Sequence, residues 1–216
     1  MNEQHHRVAK VFDDWARTGK ANSMASSHTP FALQALEQLP LSPQSNYLDI
    51  GCGNGYTVRW AAERVPHGRA VGIDIAEEMI ALARSLAVNL PNAEFRRATF
   101  PEHDLTPSSF DAIFSMEVLY YLPDVTAAVA AVGELLREGG HFSCAVDFYR
   151  ENPASHSWPD DLGVNMHLHS EEEWRELLTG SGLTFVDQYR ARMHPAQDTP
   201  DWKVAEGSLV TVVKLD

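Results

Sequence analysis

Three glycines spaced two residues apart follow a short apolar stretch and a carboxylate in this 216-residue chain. The segment reads Asn46-Tyr-Leu-Asp-Ile-Gly-Cys-Gly-Asn-Gly-Tyr56, and apolar residues at helical spacing begin directly after it. Because glycine lacks Cβ and adopts positive φ, Gly51, Gly53 and Gly55 would let backbone N–H groups approach a ligand at the N-terminus of that helix. Asp49 adds a negative charge at the same opening. The pattern therefore predicts a binding loop for a ligand that carries positive charge.

The glycine spacing separates this loop from two common nucleotide-binding loops. A dinucleotide fingerprint requires glycine at the third position after Gly53, where this chain has Tyr56. A Walker-type loop ends in Gly-Lys-Ser/Thr, which the sequence lacks. A carboxylate before the glycines would also repel a pyrophosphate, whereas it would attract the ammonium group of an amino-acid ligand. The sequence therefore disfavours nucleotide-dependent redox chemistry.

Four ordered motifs resemble those of class I S-adenosylmethionine-dependent methyltransferases. They are Asp49-x-Gly-x-Gly-x-Gly55, Val71-Gly-Ile-Asp74, Phe110-Asp-Ala-Ile-Phe-Ser115, and Leu135 to Gly140 with the strand that follows. Together they cover residues 45–147 in the order and spacing of the family. The resemblance implies a methyltransferase of the small-molecule type, similar to methyltransferase types 11 and 12, with S-adenosylmethionine as its cofactor.

The resemblance also assigns residues to the parts of the cofactor. Asp49 and the glycine backbone would hold the methionine part, and Asp74 would accept both ribose hydroxyls. Family members often have an acidic residue for the adenine amine after the third strand, but that position is Thr99 here. We therefore expect adenine to be recognised by the Thr99 hydroxyl, the Phe100 backbone and apolar packing. The expected cofactor-binding residues are Asp49, Gly51, Cys52, Gly53, Gly55, Asp74, Ile75, Thr99, Phe100 and Ser115.

Methyl transfer requires few catalytic groups, because a sulfonium methyl is already a strong electrophile. In-line positioning of the acceptor is the main requirement, with removal of a proton where the acceptor is a hydroxyl or an amine. The candidate catalytic residues near the expected pocket mouth are His28, Glu117, Asp147 and Tyr120, with His167 and His169 as further candidate bases. Ordinary structural roles compete with these assignments, since a carboxylate can cap a turn and a histidine can be a surface residue.

The histidines and cysteines predict neither a metal site nor a disulfide. Met166-His-Leu-His169 would place two histidines on one face of an extended segment, but no third ligand occurs at metal-binding spacing. Cys52 lies in the glycine loop and Cys144 in the expected fifth strand, and the fourth strand should separate them. Two reduced thiols suit a cytoplasmic enzyme.

Composition limits the class of protein and its partners. A chain of 216 residues with 44% hydrophobic content suits a single domain. No apolar run of about 18 residues and no secretion signal occur, so we expect no membrane partner and a cytoplasmic location. The formal net charge of −13 opposes nucleic-acid binding, which requires a basic surface. We expect a small-molecule acceptor that is neutral or cationic, while the sequence leaves the oligomeric state open.

Two alternative functions stay open at this stage. The fold also supports a module that binds S-adenosylmethionine or S-adenosylhomocysteine without catalysis and serves as a sensor or an assembly subunit. An RNA or protein methyltransferase ranks below that alternative, since the charge of the chain is acidic.

Alternating strand and helix patterns must position these residues. Strands are predicted at 46–51, 69–74, 93–99, 110–115 and 140–147, with helices at 55–64, 76–88 and 123–137. Such repetition predicts an α/β fold with a Rossmann-like, doubly wound sheet whose right-handed crossovers place the carboxyl ends of the strands on one edge. Two further strands are predicted at 183–192 and 209–215. The resemblance to the methyltransferase family implies that they form a C-terminal antiparallel hairpin at one edge of the sheet. The expected sheet is therefore seven-stranded and mostly parallel.

The segments that flank the core are predicted to cover its binding edge. Residues 3–17 have apolar positions at helical spacing, residues 18–27 are small and polar and predict a loop or mobile lid, and a second helix is expected from about Pro30 to Leu39. Residues 148–169 predict a long irregular loop. The expected layout within one domain is an N-terminal helical cover (1–44), a cofactor-binding core (45–147) and a substrate-side loop, helix and terminal hairpin (148–216).

These covers suggest how the acceptor is enclosed. We expect residues 1–30 and 148–169 to meet over the cofactor and to become ordered when it binds, because a reactive methyl group must be shielded from water. The inner surface of this lid is expected to include Trp15, His28, Tyr120 and Tyr149.

Overall fold

A seven-stranded mixed sheet forms the centre of the molecule. The computed structural model describes residues 2–195 and 199–216. In chain order the strands are β1 (Asn46–Ile50), β2 (Arg69–Asp74), β3 (Ala93–Arg97), β4 (Phe110–Met116), β5 (Leu136–Val146), β6 (Thr184–Ala191) and β7 (Ser208–Lys214). Their spatial order is β3-β2-β1-β4-β5-β7-β6. Strands β1 to β5 run parallel, and β7 pairs antiparallel with both β5 and β6. The predicted fold class is confirmed.

Helices connect the strands and cover both faces of the sheet. They are α1 (Glu3–Thr18), α2 (Lys20–Leu36), α3 (Tyr56–Arg64), α4 (Glu77–Leu86), α5 (Val125–Leu135), α6 (Trp158–Leu162), α7 (Glu171–Thr179) and α8 (Asp201–Ala205). Several begin at side-chain caps that satisfy free backbone N–H groups: Asn2 caps α1, Asp124 caps α5, and Ser170 with Glu173 forms a capping box at α7. None of the helices described has the length and apolar character required to cross a membrane.

Helix α2 differs most from the sequence prediction. The loop expected at 18–27 does not form, because α1 ends at the left-handed Gly19 and α2 begins at the next residue. Pro30 was expected to begin a helix but lies inside α2, where its missing N–H removes one backbone hydrogen bond. Burial outweighs that loss, since five α2 side chains are buried, namely Ala21, Phe31, Ala32, Ala35 and Leu36.

Two apolar layers hold the helices to the sheet. The side chains of β1 alternate between them, with Leu48 and Ile50 in one layer and Tyr47 in the other. The layer of Leu48 also receives α5 and α7, and the layer of Tyr47 receives α2 and α3. Cys52 and Cys144 are both free and buried, and they lie in different layers. By the same alternation Asp49 lies on the face of Tyr47, one residue before the carboxyl end of β1.

The C-terminal part is more ordered than predicted. Residues 148–169, expected to be irregular, contain a 3-10 turn at Pro153–Ser155 and helix α6. The polar loop expected between the last two strands contains α8, and residues 196–198 of that loop lie outside the described residues. The predicted antiparallel hairpin is present, with β6 at the outer edge of the sheet.

Candidate active site

The carboxyl ends of β1, β2 and β4 open into a pocket that α1 and α2 cover. The glycine loop and the residues that end β2 form its floor. The covering side chains are His5, Val8, Phe12 and Trp15 from α1, and Ala21, Met24, Ala25 and His28 from α2. The parallel topology predicted that polar residues would gather at this edge. The cover was expected from residues 1–30, but it consists of two helices instead of a helix and a loop.

The three glycines of the loop have different roles. All have positive φ, at +76° for Gly51, +52° for Gly53 and +74° for Gly55. A Cβ on Gly51 would overlap the Val118 side chain, and a Cβ on Gly55 would overlap the Phe95 ring. No heavy atom of the described residues lies within 4 Å of a Cβ placed on Gly53. Gly51 and Gly55 therefore permit packing, whereas Gly53 leaves open space beside the pocket for a ligand.

The N–H groups of this loop were expected to face the ligand, and this prediction is wrong for four of them. The N–H groups of Gly51 and Cys52 donate to the carbonyl of Ile73 at 2.8 and 3.0 Å. The Gly55 N–H donates to Cys52 O at 2.8 Å, and the Gly53 N–H donates to a side chain at the end of β2. The reason is that hydrogen bonding to β2 continues from β1 through Gly53, and that Gly55 closes a turn on Cys52.

Asp74 is the acceptor that engages Gly53. Its Oδ2 accepts from the Gly53 N–H at 2.9 Å, and its Oδ1 accepts from the Ala76 N–H at 2.8 Å. Burial raises the pKa of Asp74 to about 6, partly offset by these two hydrogen bonds. A carboxylate offers about four lone-pair positions, so Asp74 retains acceptor capacity for the hydroxyls of a ribose.

Asp49 supplies a second buried carboxyl group at the pocket. Its side chain is 2% exposed, and the Thr57 hydroxyl donates to its Oδ2. Burial raises the pKa of Asp49 to about 7, and the charge of Asp74 contributes in the same direction. Among the described residues that line the pocket, none is a lysine or an arginine. The pocket therefore favours a cationic ligand group over an anionic one.

Apolar and aromatic side chains form the far end of the pocket. Ile75, Thr99 and Phe100, all expected to bind the cofactor, line this region. Phe12 and Trp15 stand over it in an edge-to-face pair with ring centroids 5.1 Å apart. A flat apolar ring system fits such an environment, because aromatic faces and edges provide contact area without charge.

Two expected cofactor residues do not line the pocket. Gly55 caps the N-terminus of α3, and its approach to Phe95 gives it a packing role. Ser115 is 1% exposed, and its hydroxyl donates to Ile50 O at 3.1 Å across neighbouring strands. Its side chain is therefore used inside the sheet. Cys52 does line the pocket as expected.

The four candidate catalytic residues form one cluster at the β4 and β5 end of the pocket. The Tyr120 hydroxyl donates to Glu117 Oε2 at 2.7 Å, and the backbone N–H of Asp147 donates to Glu117 Oε1. His28 Nε2 lies 3.9 Å from Asp147 Oδ2. Glu117 and His28 line the pocket, and the other two residues lie behind them. We call these four residues the polar cluster.

Burial controls the protonation of the polar cluster. It raises the pKa of Glu117 well above its usual range, and the charge of Asp147 adds to this shift. Burial also raises the pKa of Asp147 to about 6, which a hydrogen bond from the Ser208 hydroxyl partly offsets. The pKa of His28 falls to about 4, because burial and the charge of Lys203 both oppose protonation. His28 is therefore a neutral imidazole near pH 7.

Lys203 and Ser208 also contact or surround the polar cluster, and no sequence pattern indicates this, because both residues come from a part of the chain far from every motif. The Ser208 hydroxyl donates to Asp147 Oδ1. Lys203 is buried, and its ammonium group donates to the hydroxyl of Ser27 and to Ser27 O at 3.1 Å. Their places become visible only when β7 is known to pair with β5.

The segment 148–169 does not cover the pocket as predicted, since no described residue of it lines the pocket. Tyr149 is buried elsewhere, and its hydroxyl donates to the carbonyls of Glu206 and Gly207. His167 and His169 stack on one another with ring centroids 6.1 Å apart, outside the pocket. The segment nevertheless meets α1, because the Gln4 amide donates to Asn165 O at 2.7 Å.

Comparisons with known proteins identify the family. Residues 48–140 match the methyltransferase domain family. A solved chain from the complex between the Haloferax volcanii Trm112 methyltransferase activator and the putative methyltransferase is 30% identical, with a TM-score of 0.86. That alignment covers 94% of this chain and 96% of the other. An S-adenosylmethionine-dependent methyltransferase from Mesorhizobium loti, 24% identical with a TM-score of 0.70, shares the fold over 87% of this chain and 97% of its own. The chain therefore belongs to the class I S-adenosylmethionine-dependent methyltransferases.

The names of curated relatives point to different methyl acceptors. Trans-aconitate 2-methyltransferase of Deinococcus radiodurans is 35% identical over 57% of this chain and 43% of its own length. Ubiquinone biosynthesis O-methyltransferase of Hahella chejuensis is 30% identical over 71% of this chain and 65% of its own length. This chain thus spans less than two thirds of each of these relatives. S-adenosylmethionine is the cofactor of the family, and the space beside Gly53, the two buried carboxyl groups and the aromatic end fit its shape and charge.

Proposed function

We propose that the protein transfers the methyl group of S-adenosylmethionine to a small acceptor molecule. The observation that carries this proposal is that the glycine loop and the polar cluster lie at one and the same pocket. The cofactor supplies an electrophilic methyl group when bound. The protein has to orient it, hold the acceptor in line with it and exclude water.

The cofactor-binding roles follow from charge and shape. Asp49 attracts the ammonium group of the methionine part, and Asp74 accepts hydrogen bonds from the ribose hydroxyls. Gly53 leaves room for the ligand, while Ile75, Thr99 and Phe100 contact the adenine. These assignments draw support from the position of each residue on the pocket wall. Gly55 and Ser115 take no direct part.

The polar cluster is proposed to meet the acceptor. Glu117 lines the pocket with a carboxyl group that Tyr120 and the Asp147 N–H hold in one orientation. A hydroxyl or amine of the acceptor would donate a hydrogen bond to Glu117. This bond would align the acceptor's lone pair with the methyl group, and Glu117 would receive the acceptor's proton. His28 would contact the acceptor from the covering helix α2, and the backbone N–H of Asp147 would position Glu117.

Charge indicates the class of acceptor. The charged side chains that line the pocket are acidic, and no cationic partner for an anion is among the described lining residues. Trans-aconitate, named for several of the relatives, is a polyanion that this pocket would repel. We therefore propose a neutral or cationic acceptor with a hydroxyl or amine nucleophile. We also propose that the protein is cytoplasmic.

A second proposal concerns a protein partner. The Haloferax volcanii chain forms a complex with the Trm112 methyltransferase activator and aligns with almost all of this chain. We propose that this protein also works with an activator subunit. Size-exclusion chromatography of this protein co-expressed with a Trm112-type activator would show a joint peak if the complex forms. Two separate peaks would refute this proposal.

Direct binding and transfer measurements test the main proposal. Isothermal titration should show one site for S-adenosylhomocysteine, and an acceptor library sorted by charge should show transfer from labelled S-adenosylmethionine to neutral or cationic members. Failure to bind either cofactor form would refute the proposal. Binding without transfer to any acceptor, with and without the activator, would favour the non-catalytic module.

A further inference from the structure

Three residues of the polar cluster have the chemistry of metal ligands. One ligand atom each from His28, Glu117 and Asp147 can be chosen so that all three lie within 4.8 Å of one another. The residues come from α2, the end of β4 and the end of β5. The sequence predicts no metal site, because three ligands from distant segments show no regular spacing along the chain.

Asp147 provides an independent observation that points to a ligand. Its side chain is 1% exposed, and its Oδ1 accepts from the Ser208 hydroxyl. Its Oδ2 is buried and has no hydrogen-bond partner among the described residues. A buried carboxylate oxygen without a partner is costly, so an unmatched one calls for a bound group. His28 Nε2, at 3.9 Å, is too far away to satisfy it by a hydrogen bond.

The spacing suits an ion between these atoms. Two ligands bound at about 2.1 Å to a tetrahedral cation are about 3.4 Å apart, so a small shift from 3.9 Å would bring both into contact with one ion. His28 directs an imidazole nitrogen to this place, and imidazole nitrogen is a common ligand of transition metals. Glu117 is oriented by two donors, Tyr120 and the Asp147 N–H, as the outer partners of metal ligands usually are.

The backbone conformation of Glu117 is also unusual. Its φ of +62° is rare for a residue other than glycine, and such conformations are unfavourable unless the surrounding structure holds them. The conformation turns the carboxyl group of Glu117 toward the end of β5, where Asp147 lies.

Lys203 opposes a cation at this place. Its charge acts on Glu117 and on Asp147, yet the hydrogen bonds of its ammonium group go to Ser27. Two carboxyl groups therefore face one lysine charge. We expect the lysine to weaken metal binding without preventing it, and this gives the site a distinctive test.

We propose that His28, Glu117 and Asp147 bind a divalent transition-metal ion whose remaining coordination positions face the pocket. One imidazole nitrogen and two carboxyl oxygens suit Mn²⁺, Fe²⁺, Co²⁺ or Zn²⁺ better than Ca²⁺, which prefers oxygen ligands alone. The functional role of the ion rests on the proposed methyl transfer, since it would polarise an acceptor oxygen as a Lewis acid. The binding itself does not depend on that function.

Metal titration of the full chain tests the site directly. Protein freed of metal with EDTA is titrated with Co²⁺, followed by visible absorption, and with Mn²⁺, followed by electron paramagnetic resonance. We expect one ion per chain and at least a tenfold weaker affinity in Asp147→Asn. His28→Gln, on the covering helix, should show a similar loss and serves if Asp147→Asn does not fold. The matched controls Asp160→Asn and His167→Gln, outside the cluster, should bind as the wild type does.

A variant with the opposite effect sharpens the test. Lys203→Met removes the nearby positive charge and should strengthen Mn²⁺ binding by about threefold to tenfold. The proposal is overturned if the wild type binds no ion, or if His28→Gln and Asp147→Asn retain its affinity in folded protein. Binding of S-adenosylhomocysteine and methyl transfer in the presence of EDTA are measured separately, so that this proposal can fail while the proposed function stands.

Discussion

The two ends of the pocket are built in different ways. The cofactor end depends on one continuous segment, the loop from Asp49 to Gly55, with Asp74 from the next strand. The acceptor end is assembled from four distant places: α2, the end of β4, the end of β5 and the start of β7. A continuous motif preserves its geometry through local backbone constraints, whereas the assembled end depends on the correct packing of the whole sheet. Variants at the two ends should therefore fail differently.

The largest effect is expected from Gly53→Val. The residue has φ of +52° and open space around its Cβ position, so a branched side chain would occupy the ligand volume and strain the backbone. We expect affinity for S-adenosylhomocysteine to fall by at least a hundredfold in isothermal titration. Gly163→Val is the matched control, because Gly163 has φ of +64° with equally open surroundings but lies outside the pocket. Equal losses of affinity in both variants would mean that strain alone explains the result.

Asp74→Ala should have the next largest effect. It removes the acceptor proposed for the ribose and leaves the N–H groups of Gly53 and Ala76 without their partner. We expect cofactor affinity to weaken by about 1.5 to 3 kcal/mol, the usual value for a hydrogen bond to a charged group. Titration with adenosine, which has the ribose but no methionine part, should show a comparable loss. An unchanged adenosine affinity would place the ribose elsewhere.

These first two predictions concern the part of the site that could be recognised from sequence. Gly51, Gly53 and Asp74 were identified because turns and strand ends are encoded locally, and parallel topology brought Glu117 and Asp147 to the same edge. Ser115 was wrongly assigned to the cofactor, because its residue type does not reveal that its hydroxyl bonds to the neighbouring strand β1. Lys203 was missed because only the pairing of β7 with β5 carries it to the cluster.

The cover shows why packing can override local signals. Pro30 and the small polar residues before it predicted a break, yet α2 runs through them because its apolar face is buried. Tyr149 was expected to face the acceptor but packs on the carbonyls of Glu206 and Gly207. Which side of a loop faces a pocket depends on tertiary contacts that are absent from the local pattern. Ordering of the covers on cofactor binding stays a prediction.

The dependence of cofactor affinity on pH should be moderate. The pKa of Asp49 is raised to about 7, so the carboxyl group loses its charge as the pH falls through 7, and Asp74, at about 6, follows. Affinity for the ammonium-bearing S-adenosylhomocysteine should thus be constant above about pH 8 and fall by up to tenfold per pH unit below 7. Asp49→Asn should remove most of this dependence. A wild-type profile that is flat from pH 5.5 to 8 would contradict the assignment.

The same raised pKa affects the stability of the free protein in the opposite sense. An acid with a folded pKa above its unfolded value resists ionisation, so its contribution to the free energy of unfolding is greatest below the unfolded pKa. That contribution declines as the pH rises from about 4 to 7 for Asp49. Thermal unfolding of the free protein and of its complex with S-adenosylhomocysteine should therefore diverge as the pH rises across this window. Parallel curves would mean that Asp49 does not interact with the ligand charge.

The smallest effect is expected at the acceptor end, from Tyr120→Phe. The change removes the hydroxyl that donates to Glu117 Oε2 at 2.7 Å but keeps the buried ring, so the free energy of unfolding should fall by about 1 kcal/mol. Tyr189→Phe, which removes a hydroxyl bonded to Gln34 O at 2.9 Å in the other apolar layer, is the control for a hydrogen bond of the same kind. Both variants should bind S-adenosylhomocysteine within about twofold of the wild type. Only Tyr120→Phe should slow methyl transfer by several-fold, because Glu117 then keeps one of its two orienting bonds. If both variants slowed transfer equally, the acceptor end would be sensitive to stability alone, and the distinction between the two ends of the pocket would be lost.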